Sequence, residues 1–387
     1  MWQQARAVFG GRTFQLATKP GLLGHGHDDP ATEMLARALT DCAGQVVVSM
    51  PCGNGLVGAV AGASGAQQVW MTDRNGLAVQ AALRTLGANA IASAQVRIGH
   101  GTWSLPSDIV ADVVAIRVVP ERTPMLLLLH DALRVLRPGG QCYVAGGNHE
   151  GAKSAARLLE RLFGNAKTLA QHRSHRLVVA TRPAHPPDVA ADMVTPYIDA
   201  NVYHAVPVSL HGEVFTLYTR PGVFSWAHVD EATDVMARLL DVAPGERVLD
   251  IGCGAGALGV VAARQSRTGA VCLVDVDSDA VRCAERTLQA AGSTNARALV
   301  SDVASSVLGE RFDVVVANPP FHTGKQVDLE VPHQFIRDAY DVLDRGGRAL
   351  LVANRTLPYE AMLTAQFGTY RVLHDGRRFK VLSAVRA

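Results

Sequence analysis

The second half of the chain alternates short apolar runs with longer segments whose apolar residues recur at helical spacing. Short runs rich in Val, Leu and Ile are typical of buried strands, whereas apolar positions three and four apart are typical of helices. The predicted strands are ERVLDIG, AVCLVDV, RFDVVVAN and RALLVAN, and the predicted helices are ALGVVAARQ, DAVRCAERTLQAAG and HQFIRDAYDVLDRGG; hairpins are predicted around His211 and Asp375. This alternation predicts an α/β fold, a parallel sheet with helices on both faces, whose ligand lies at the carboxyl ends of the strands.

The same pattern occurs twice, so we predict a tandem duplication. VVVSMPCGNGLVG aligns with VLDIGCGAGALG at a shift of 201 residues, which places Cys52 over Cys253. That shift also places ADVVAIRVVP over FDVVVANPPF, and later segments align at shifts of 207 and 204 residues. Prolines concentrate between the two copies and indicate an extended linker. The predicted division is an N-terminal domain over 1–182, a linker over 183–200 and a C-terminal domain over 201–387.

A glycine-rich loop follows the first strand of the second copy. Gly254, Gly256 and Gly259 form the spacing G-x-G-x-x-G, and Asp275 follows about 20 residues later. Taken alone, this spacing also satisfies the dinucleotide fingerprint of a dehydrogenase. The glycines therefore predict a nucleotide-like cofactor without choosing between dinucleotides and S-adenosylmethionine.

Acidic residues at three successive strand ends favour S-adenosylmethionine. Asp250 and Gly252 end the first strand; a carboxylate there would repel a pyrophosphate but attract the cationic amino-acid end of S-adenosylmethionine. Asp275, at the end of the next strand, is placed to accept hydrogen bonds from ribose hydroxyls. Asp302, after the following strand, is placed for the adenine amino group. We predict Asp250, Gly252, Gly254, Gly256, Asp275 and Asp302 as the residues that bind this cofactor.

The segment Asn318-Pro319-Pro320-Phe321 follows an apolar strand and predicts methyl transfer to an amino nitrogen. The exocyclic amine of a nucleobase is a weak nucleophile, because its lone pair is delocalised into the ring. The side-chain carbonyl of Asn318 and the backbone carbonyl of Pro319 can accept both amine hydrogens and aim the lone pair. The two prolines restrict the backbone that carries these acceptors. Phe321 offers a flat face on which a flipped base can stack.

Several motifs extend this interpretation to a known family. The stretches NPPFHTGKQVD, VANRTLPYE and GRRFKVL, together with RPGVFS, resemble the RsmC family of small-subunit ribosomal RNA guanine-N2 methyltransferases. The resemblance implies two tandem Rossmann-like class I methyltransferase domains, of which only the second binds cofactor. It also implies methylation of the 2-amino group of one guanine in 16S RNA. Phe224, in the RPGVFS stretch, is expected to cover the cofactor.

Other functions share parts of this motif set. A sister family methylates a large-subunit guanine with the same motifs. Adenine-N6 and glutamine-N5 methyltransferases also use N-P-P, but usually with Tyr where this chain has Phe321. A non-catalytic ribosome-assembly factor is a further alternative, although such a factor needs no amine acceptor at Asn318.

The first copy lacks the residues that the second copy needs. Ser49 replaces Asp250, and Pro51 replaces the first glycine of the loop. Arg117 stands in place of the catalytic asparagine and carries only hydrogen-bond donors, so it cannot accept an amine hydrogen. Asp73 still corresponds to Asp275. We predict that the N-terminal domain is degenerate and serves in structural support and RNA docking.

Charge supports a role in RNA binding. Residues 1–193 contain 18 Lys and Arg against 13 Asp and Glu, a net charge of +5, while the remainder carries −3. Arginine and lysine suit phosphate contacts, although a solvated helix face explains such residues equally well. The candidates for RNA contact are Lys153, Arg157, Arg161, Lys167, Arg173 and Arg176, with His322 and Lys325 beside the catalytic segment.

Composition sets the remaining expectations. Hydrophobic residues make up 48% of the 387 residues, which excludes a disordered chain. The six cysteines form no C-x-x-C pair, and the segment from His25 to Asp29 is better explained as a capped helix start than as a metal site, so no metal is expected. No apolar run is long enough for a membrane helix, and no secretory signal is visible. A cytoplasmic monomer that binds ribosomal RNA is expected.

Overall fold

The computed structural model describes residues 1–27, 29–319 and 329–387, which form two compact units. The first unit spans Met1–Val202 and the second spans Tyr203–Ala387. Each begins with an antiparallel hairpin and continues into a seven-stranded sheet flanked by helices. The repeat predicted from the sequence is therefore also a repeat of structure.

The N-terminal unit contains nine strands and five α-helices in its described residues. The strands are β1 (Gln3–Phe9), β2 (Arg12–Thr18), β3 (Val46–Met50), β4 (Gln68–Asp73), β5 (Ala94–Ile98), β6 (Ala111–Arg117), β7 (Leu136–Gly147), β8 (Lys167–His172) and β9 (His175–Thr181). The helices are α1 (Pro30–Ala38), α2 (Leu56–Ala63), α3 (Gly76–Ala88), α4 (Arg122–Val135) and α5 (Ala152–Phe163). The sheet order is β5-β4-β3-β6-β7-β9-β8.

The C-terminal unit repeats this order of elements. Its strands are β10 (His204–Leu210), β11 (Glu213–Thr219), β12 (Val248–Ile251), β13 (Val271–Asp275), β14 (Ala296–Val300), β15 (Phe312–Ala317), β16 (Leu343–Asn354), β17 (Arg371–Asp375) and β18 (Phe379–Val385). Its helices are α6 (Glu231–Leu239), α7 (Ala257–Gln265), α8 (Ser278–Ala290), α9 (Glu330–Val342) and α10 (Tyr359–Phe367). The sheet order is β14-β13-β12-β15-β16-β18-β17.

The central strands of the C-terminal sheet are buried on both faces, which explains their continuous apolar sequences. In β12, all four residues from Val248 to Ile251 are at most 2% exposed. β12 pairs in parallel with β13 on one side and with β15 on the other. Two apolar clusters, one on each face, form the core of this unit. Because β12, β13 and β15 are parallel, their carboxyl ends lie at the same edge of the sheet.

One helix end and one whole helix differ from the sequence prediction. Helix α9 ends at Val342 rather than at the following Gly pair, because Leu343 is extended and already pairs with Phe312. Helix α10 was not predicted: its residues have no helical apolar periodicity, although Tyr359 is fully buried. In both places, contacts with the sheet decide a conformation that local sequence leaves open.

The segment over 183–200, predicted as an extended linker, lies within the N-terminal unit. It contains two short 3-10 turns, and Met193 is buried among the residues of that unit's core. Arg122 donates a hydrogen bond to the backbone carbonyl of Asp192 at 3.0 Å. One buried apolar residue, Met193, gives no periodic pattern in the sequence, so the prolines alone led to the prediction of an extended linker.

Candidate active site

The loop after β12 is held in an unusual backbone conformation. Gly252 and Gly254 have φ values of +76° and +53°, a region that residues with a Cβ rarely adopt. Asp275, at the end of β13, holds the loop in place, since one of its carboxylate oxygens accepts a hydrogen bond from the Gly254 N–H at 2.9 Å. The other oxygen accepts from the Asp277 N–H at 3.0 Å, at the start of α8. The two strand ends are thus tied together by one carboxylate.

Asp250 is a buried carboxyl group whose hydrogen bonding is incomplete. Its side chain is only 2% exposed, and its Oδ2 atom has no hydrogen-bond partner among the described residues. Burial, together with the nearby carboxylate of Asp275, raises the pKa of Asp250 to about 7, although a hydrogen bond from the Gly259 N–H acts in the opposite direction. A buried carboxylate with an unsatisfied oxygen is poised for a cationic donor from outside the chain.

Asn318 lies at the carboxyl end of β15, the strand next to β12. Its side-chain amide donates to Asp230 Oδ2 at 3.3 Å and to Thr233 Oγ1 at 3.5 Å. Pro319 is buried directly after it. Pro320, Phe321, His322 and Lys325, which were predicted to serve in catalysis or RNA contact, lie outside the described residues.

A cavity joins the two strand ends. Its described lining includes Asp250, the glycine loop and Asn318, and it also includes Phe224, Asp230 and Thr233. Phe224 is 68% exposed at the mouth, so most of its ring is available to a ligand. Asp275 and Asp302 are not part of this described lining. Asp302 is buried near the end of β14, two strands away from β12.

In the N-terminal unit Arg117 occupies the position of Asn318 and forms a salt-bridge cluster beside a cavity that Asp29, Thr32 and Arg117 help to line. Arg117, only 5% exposed, donates from Nε to Asp29 at 3.0 Å and from Nη2 to Glu150 at 2.7 Å. Burial acts to raise the pKa of both acids, but the Arg117 guanidinium outweighs it, so the pKa values of Asp29 and Glu150 are lowered and both are ionised. Ser49 is buried where the second unit has Asp250. The first unit therefore keeps a cavity at this place but lacks the two acceptor groups that Asp250 and Asn318 supply in the second unit.

The predicted RNA-binding residues are not all available. Four are exposed and form no ion pair with the described residues: Lys153 and Arg157 on α5, and Lys167 and Arg173 in the β8–β9 hairpin. Arg161 is already paired with Asp192 at 2.7 Å, and Arg176 Nε donates to Asn148 Oδ1 at 3.3 Å. The four lie on a helix that packs against β9 and on the edge hairpin of the sheet, rather than along one helix face.

Sequence reasoning missed Asp230 and Thr233, which contact Asn318. The signal was present in the repeat: the shift of 201 residues places Asp29 over Asp230, Thr32 over Thr233 and Arg117 over Asn318. Only the three-dimensional structure shows that these positions meet, because they are more than 80 residues apart in each copy.

The described residues contain no cluster of three or more His, Cys, Asp or Glu that could hold a metal ion. Within those residues, no helix is long and apolar enough to cross a membrane. Cys52, in the glycine loop of the first unit, is buried, and burial raises its thiol pKa well above the usual range. A thiolate nucleophile is therefore disfavoured at this position.

The sheets, the glycine loop and the Asn318 segment define a class of protein: two methyltransferase-like domains in one chain. The sequence profile of the methyltransferase small domain matches residues 13–179 and again residues 214–383. A solved structure described as the Thermus thermophilus 16S rRNA N2 guanine methyltransferase RsmC, in complex with AdoMet and guanosine, aligns over 100% of this chain and 98% of its own. The TM-score is 0.83 at 27% sequence identity.

Curated relatives give the family. The ribosomal RNA small subunit methyltransferase C of Hahella chejuensis is 33% identical over 283 residues, which cover 73% of this chain and 80% of the relative. The corresponding protein of Escherichia coli is 34% identical over 257 residues, 66% of this chain and 70% of the relative. The chain belongs to the methyltransferase small domain family and, within it, to the family of ribosomal RNA small subunit methyltransferase C.

These findings confirm the resemblance predicted from the sequence, the tandem α/β fold and the assignment as a methyltransferase that uses S-adenosylmethionine. The predicted roles of individual residues remain proposals.

Proposed function

We propose that this protein transfers a methyl group from S-adenosylmethionine to the 2-amino group of a guanine in small-subunit ribosomal RNA. The observation that carries the proposal is the pairing of two polar groups at adjacent strand ends. Asp250 presents a buried oxygen without a partner among the described residues, and Asn318 presents an amide held by Asp230. One group suits a cationic cofactor, and the other suits a nucleobase amine.

The residues around Asp250 fit this cofactor. The unpaired carboxylate oxygen suits the α-ammonium group, and the open glycine loop lets a ligand approach the backbone at Gly252 and Gly254. Asp275 and Asp302 are proposed to contact the ribose and the adenine, and Phe224 is proposed to cover them. When bound, S-adenosylmethionine supplies a methyl group on a positively charged sulfur, and this methyl group is open to attack by the lone pair of an amine nitrogen.

Asn318 and Pro319 are proposed to prepare the substrate amine. Because the Asn318 amide nitrogen faces Asp230, its carbonyl oxygen lies on the opposite side of the amide group. That oxygen and the Pro319 backbone carbonyl accept the two amine hydrogens, so the lone pair is less delocalised into the ring and can attack the methyl group; one amine proton then leaves to water. Stacking on Phe321 is worth about 1–3 kcal/mol and offsets part of the few kcal/mol that base flipping costs.

The N-terminal unit is proposed to dock RNA through its exposed basic residues. Lys153, Arg157, Lys167 and Arg173 are exposed without an ion pair to the described residues, so they can release counterions from phosphates on contact. Arg161 and Arg176 are already bonded within the unit, so their contribution is expected to be smaller. We further propose a cytoplasmic monomer, since the duplication supplies a second domain within one chain.

The proposal is supported by a solved structure with the same fold and by curated relatives, all of which are described as small-subunit ribosomal RNA methyltransferases. The Thermus thermophilus structure contains AdoMet and guanosine, the two molecules that the geometry here would bring together. The curated relatives act, by name, on small-subunit ribosomal RNA.

The test is methyl transfer from labelled S-adenosylmethionine to small subunits, large subunits and protein-free RNA, with the modified nucleoside identified by mass spectrometry. N2-methylguanosine in small-subunit RNA is the expected result. Label confined to large subunits would replace the proposal with the sister activity. Bound cofactor without label in any substrate would favour the assembly-factor alternative. In parallel, Asn318→Ala should reduce transfer to a trace while cofactor affinity stays nearly unchanged; loss of both would contradict the role of Asn318.

A further inference from the structure

We propose that Asp230 is a positioning residue that fixes which way the Asn318 amide points. This inference rests on the proposed function, because it concerns the same acceptor oxygen. Asp230 precedes helix α6 and does not belong to the Asn-Pro-Pro-Phe segment or to the glycine loop.

The contacts of Asp230 converge on one atom. Its Oδ2 accepts from the backbone N–H groups of Ala232 at 3.1 Å and Thr233 at 3.3 Å, which caps α6. The same oxygen accepts from the Asn318 amide nitrogen at 3.3 Å. The two backbone bonds hold Oδ2 in place, so the helix start serves as a fixed support for the amide.

The chemistry of the partners decides the orientation. An amide has a donating nitrogen and an accepting oxygen on opposite sides, and the two differ little in shape. A carboxylate only accepts, so the reversed amide would place two oxygens against each other. Asp230 therefore selects the orientation in which the Asn318 carbonyl is turned away from α6. Without this selection, the amide nitrogen would be presented to the substrate amine in part of the molecules, and that nitrogen cannot accept an amine hydrogen.

The N-terminal unit repeats the arrangement with a different partner. Asp29 precedes α1 as Asp230 precedes α6, and the Thr32 hydroxyl donates to Asp29 Oδ2. Arg117, at the position of Asn318, donates to both oxygens of Asp29. In both copies, an aspartate before the first helix holds the side chain at the end of the fourth parallel strand. The contact between these two positions is therefore a property of the fold, although Asp29 makes no side-chain capping bond to α1 and the residue that it holds is different.

The test separates helix capping from positioning. Serine caps helices about as well as aspartate, but its hydroxyl is one bond shorter and does not reach Asn318. Asparagine can both cap and accept through its carbonyl. We therefore compare Asp230→Ser with Asp230→Asn in the full chain, using labelled S-adenosylmethionine and small ribosomal subunits. Thermal stability and cofactor affinity should be equal in the two variants.

The expected result is a fall in kcat of at least about 10-fold for Asp230→Ser, with KM for both substrates unchanged, while Asp230→Asn stays within about 3-fold of the parent. In an Asn318→Ala background, where residual transfer is measurable by overnight labelling, Asp230→Ser should add no further loss. Equal kcat in the two Asp230 variants would overturn the inference. Full activity of Asn318→Ala would contradict the proposed role of Asn318 itself. This result differs from equal kcat values in the two Asp230 variants, which would contradict only the positioning role of Asp230.

Discussion

Asp250 is the position where the structure makes its sharpest quantitative prediction. The substitution Asp250→Asn keeps the size of the side chain and an acceptor for the Gly259 N–H, but removes the ability to ionise. Burial holds the pKa of Asp250 at about 7 in the folded chain, against an ordinary value of 3.8. The cost of ionising this carboxylate in the fold is therefore about 4 kcal/mol as an upper limit, at 1.36 kcal/mol per pKa unit.

The direction of the pH effect follows from the raised pKa. Between the two pKa values the folded chain binds more protons than the unfolded chain, so the stabilising contribution is full below pH 3.8 and is lost as the pH rises through 7. From pH 5 to pH 8.5 this one group should lower the free energy of unfolding of the C-terminal unit by roughly 3 kcal/mol. Asp250→Asn removes that loss.

The assay is urea unfolding at pH 5 and pH 8.5 without cofactor, followed by hydrogen-exchange mass spectrometry of peptides from β12 and β15. These peptides report on the C-terminal unit alone. Other titrating groups contribute equally to the variant and the parent, so they cancel in the difference between the two free energies of unfolding. The free energy of unfolding of Asp250→Asn minus that of the parent should increase by roughly 3 kcal/mol between pH 5 and pH 8.5. The same difference at both pH values would refute the reasoning about Asp250.

Cofactor binding gives a second measurement on the same residue. Pairing with a cationic group favours the ionised carboxylate, so binding at pH 7 should release about half a proton from a group whose pKa is about 7. Calorimetry in two buffers with different ionisation enthalpies measures this release. Asp250→Asn should bind S-adenosylmethionine at least about 10-fold more weakly, consistent with the loss of a charge-assisted bond, and should release no proton. Proton release that persists in the variant would assign it to another group.

Three further variants test other parts of the structure. Arg117→Met should cost the N-terminal unit up to about 3 kcal/mol in urea unfolding, because it leaves two partly buried carboxylates without their shared guanidinium. Gly259→Ala should lower stability by about 1–3 kcal/mol, since a Cβ there would lie 2.4 Å from Leu273 Cδ2. The double variant Lys153→Ala with Arg157→Ala should weaken RNA binding and reduce the slope of log affinity against log salt by up to about 2.

Two of these variants have a control in the chain. Gly309→Ala meets no atom within 4 Å and should be neutral, so an equal loss in both glycine variants would contradict the packing argument. Arg161→Ala removes a guanidinium already paired with Asp192, and it should change the salt slope less than the double variant does. A stable Arg117→Met protein would show that Asp29 and Glu150 find other partners.

Most of the fold and the main site could be predicted from the sequence because both depend on local patterns. Continuous apolar runs identify strands buried on two faces, and the repeat at a shift of 201 residues identifies the duplication. Glycines and acids directly after those runs must lie at the carboxyl edge of the sheet. The order of residues along the chain is therefore enough to predict that Asp250, Gly254 and Asn318 lie near one another.

Other features depend on partners that are distant in sequence. Helix α10 forms although its apolar residues lack helical periodicity; its first residue, Tyr359, is fully buried. Met193 anchors a proline-rich segment whose composition alone suggests free chain. Arg161 has the charge and position of an RNA contact, but its guanidinium is paired with Asp192.

For this protein, the sequence by itself determined the duplication, the order of strands and helices, the family and the residue types at the cofactor loop and the Asn318 segment. The tertiary structure alone decided that Asp250 is buried with an oxygen unsatisfied by the described residues and that Asp230 contacts Asn318. It also decided that Arg117 is held by Asp29 and Glu150. The physical reason is that burial, pKa and hydrogen-bond direction depend on groups brought together from separate elements, whereas periodicity and spacing are properties of neighbours along the chain.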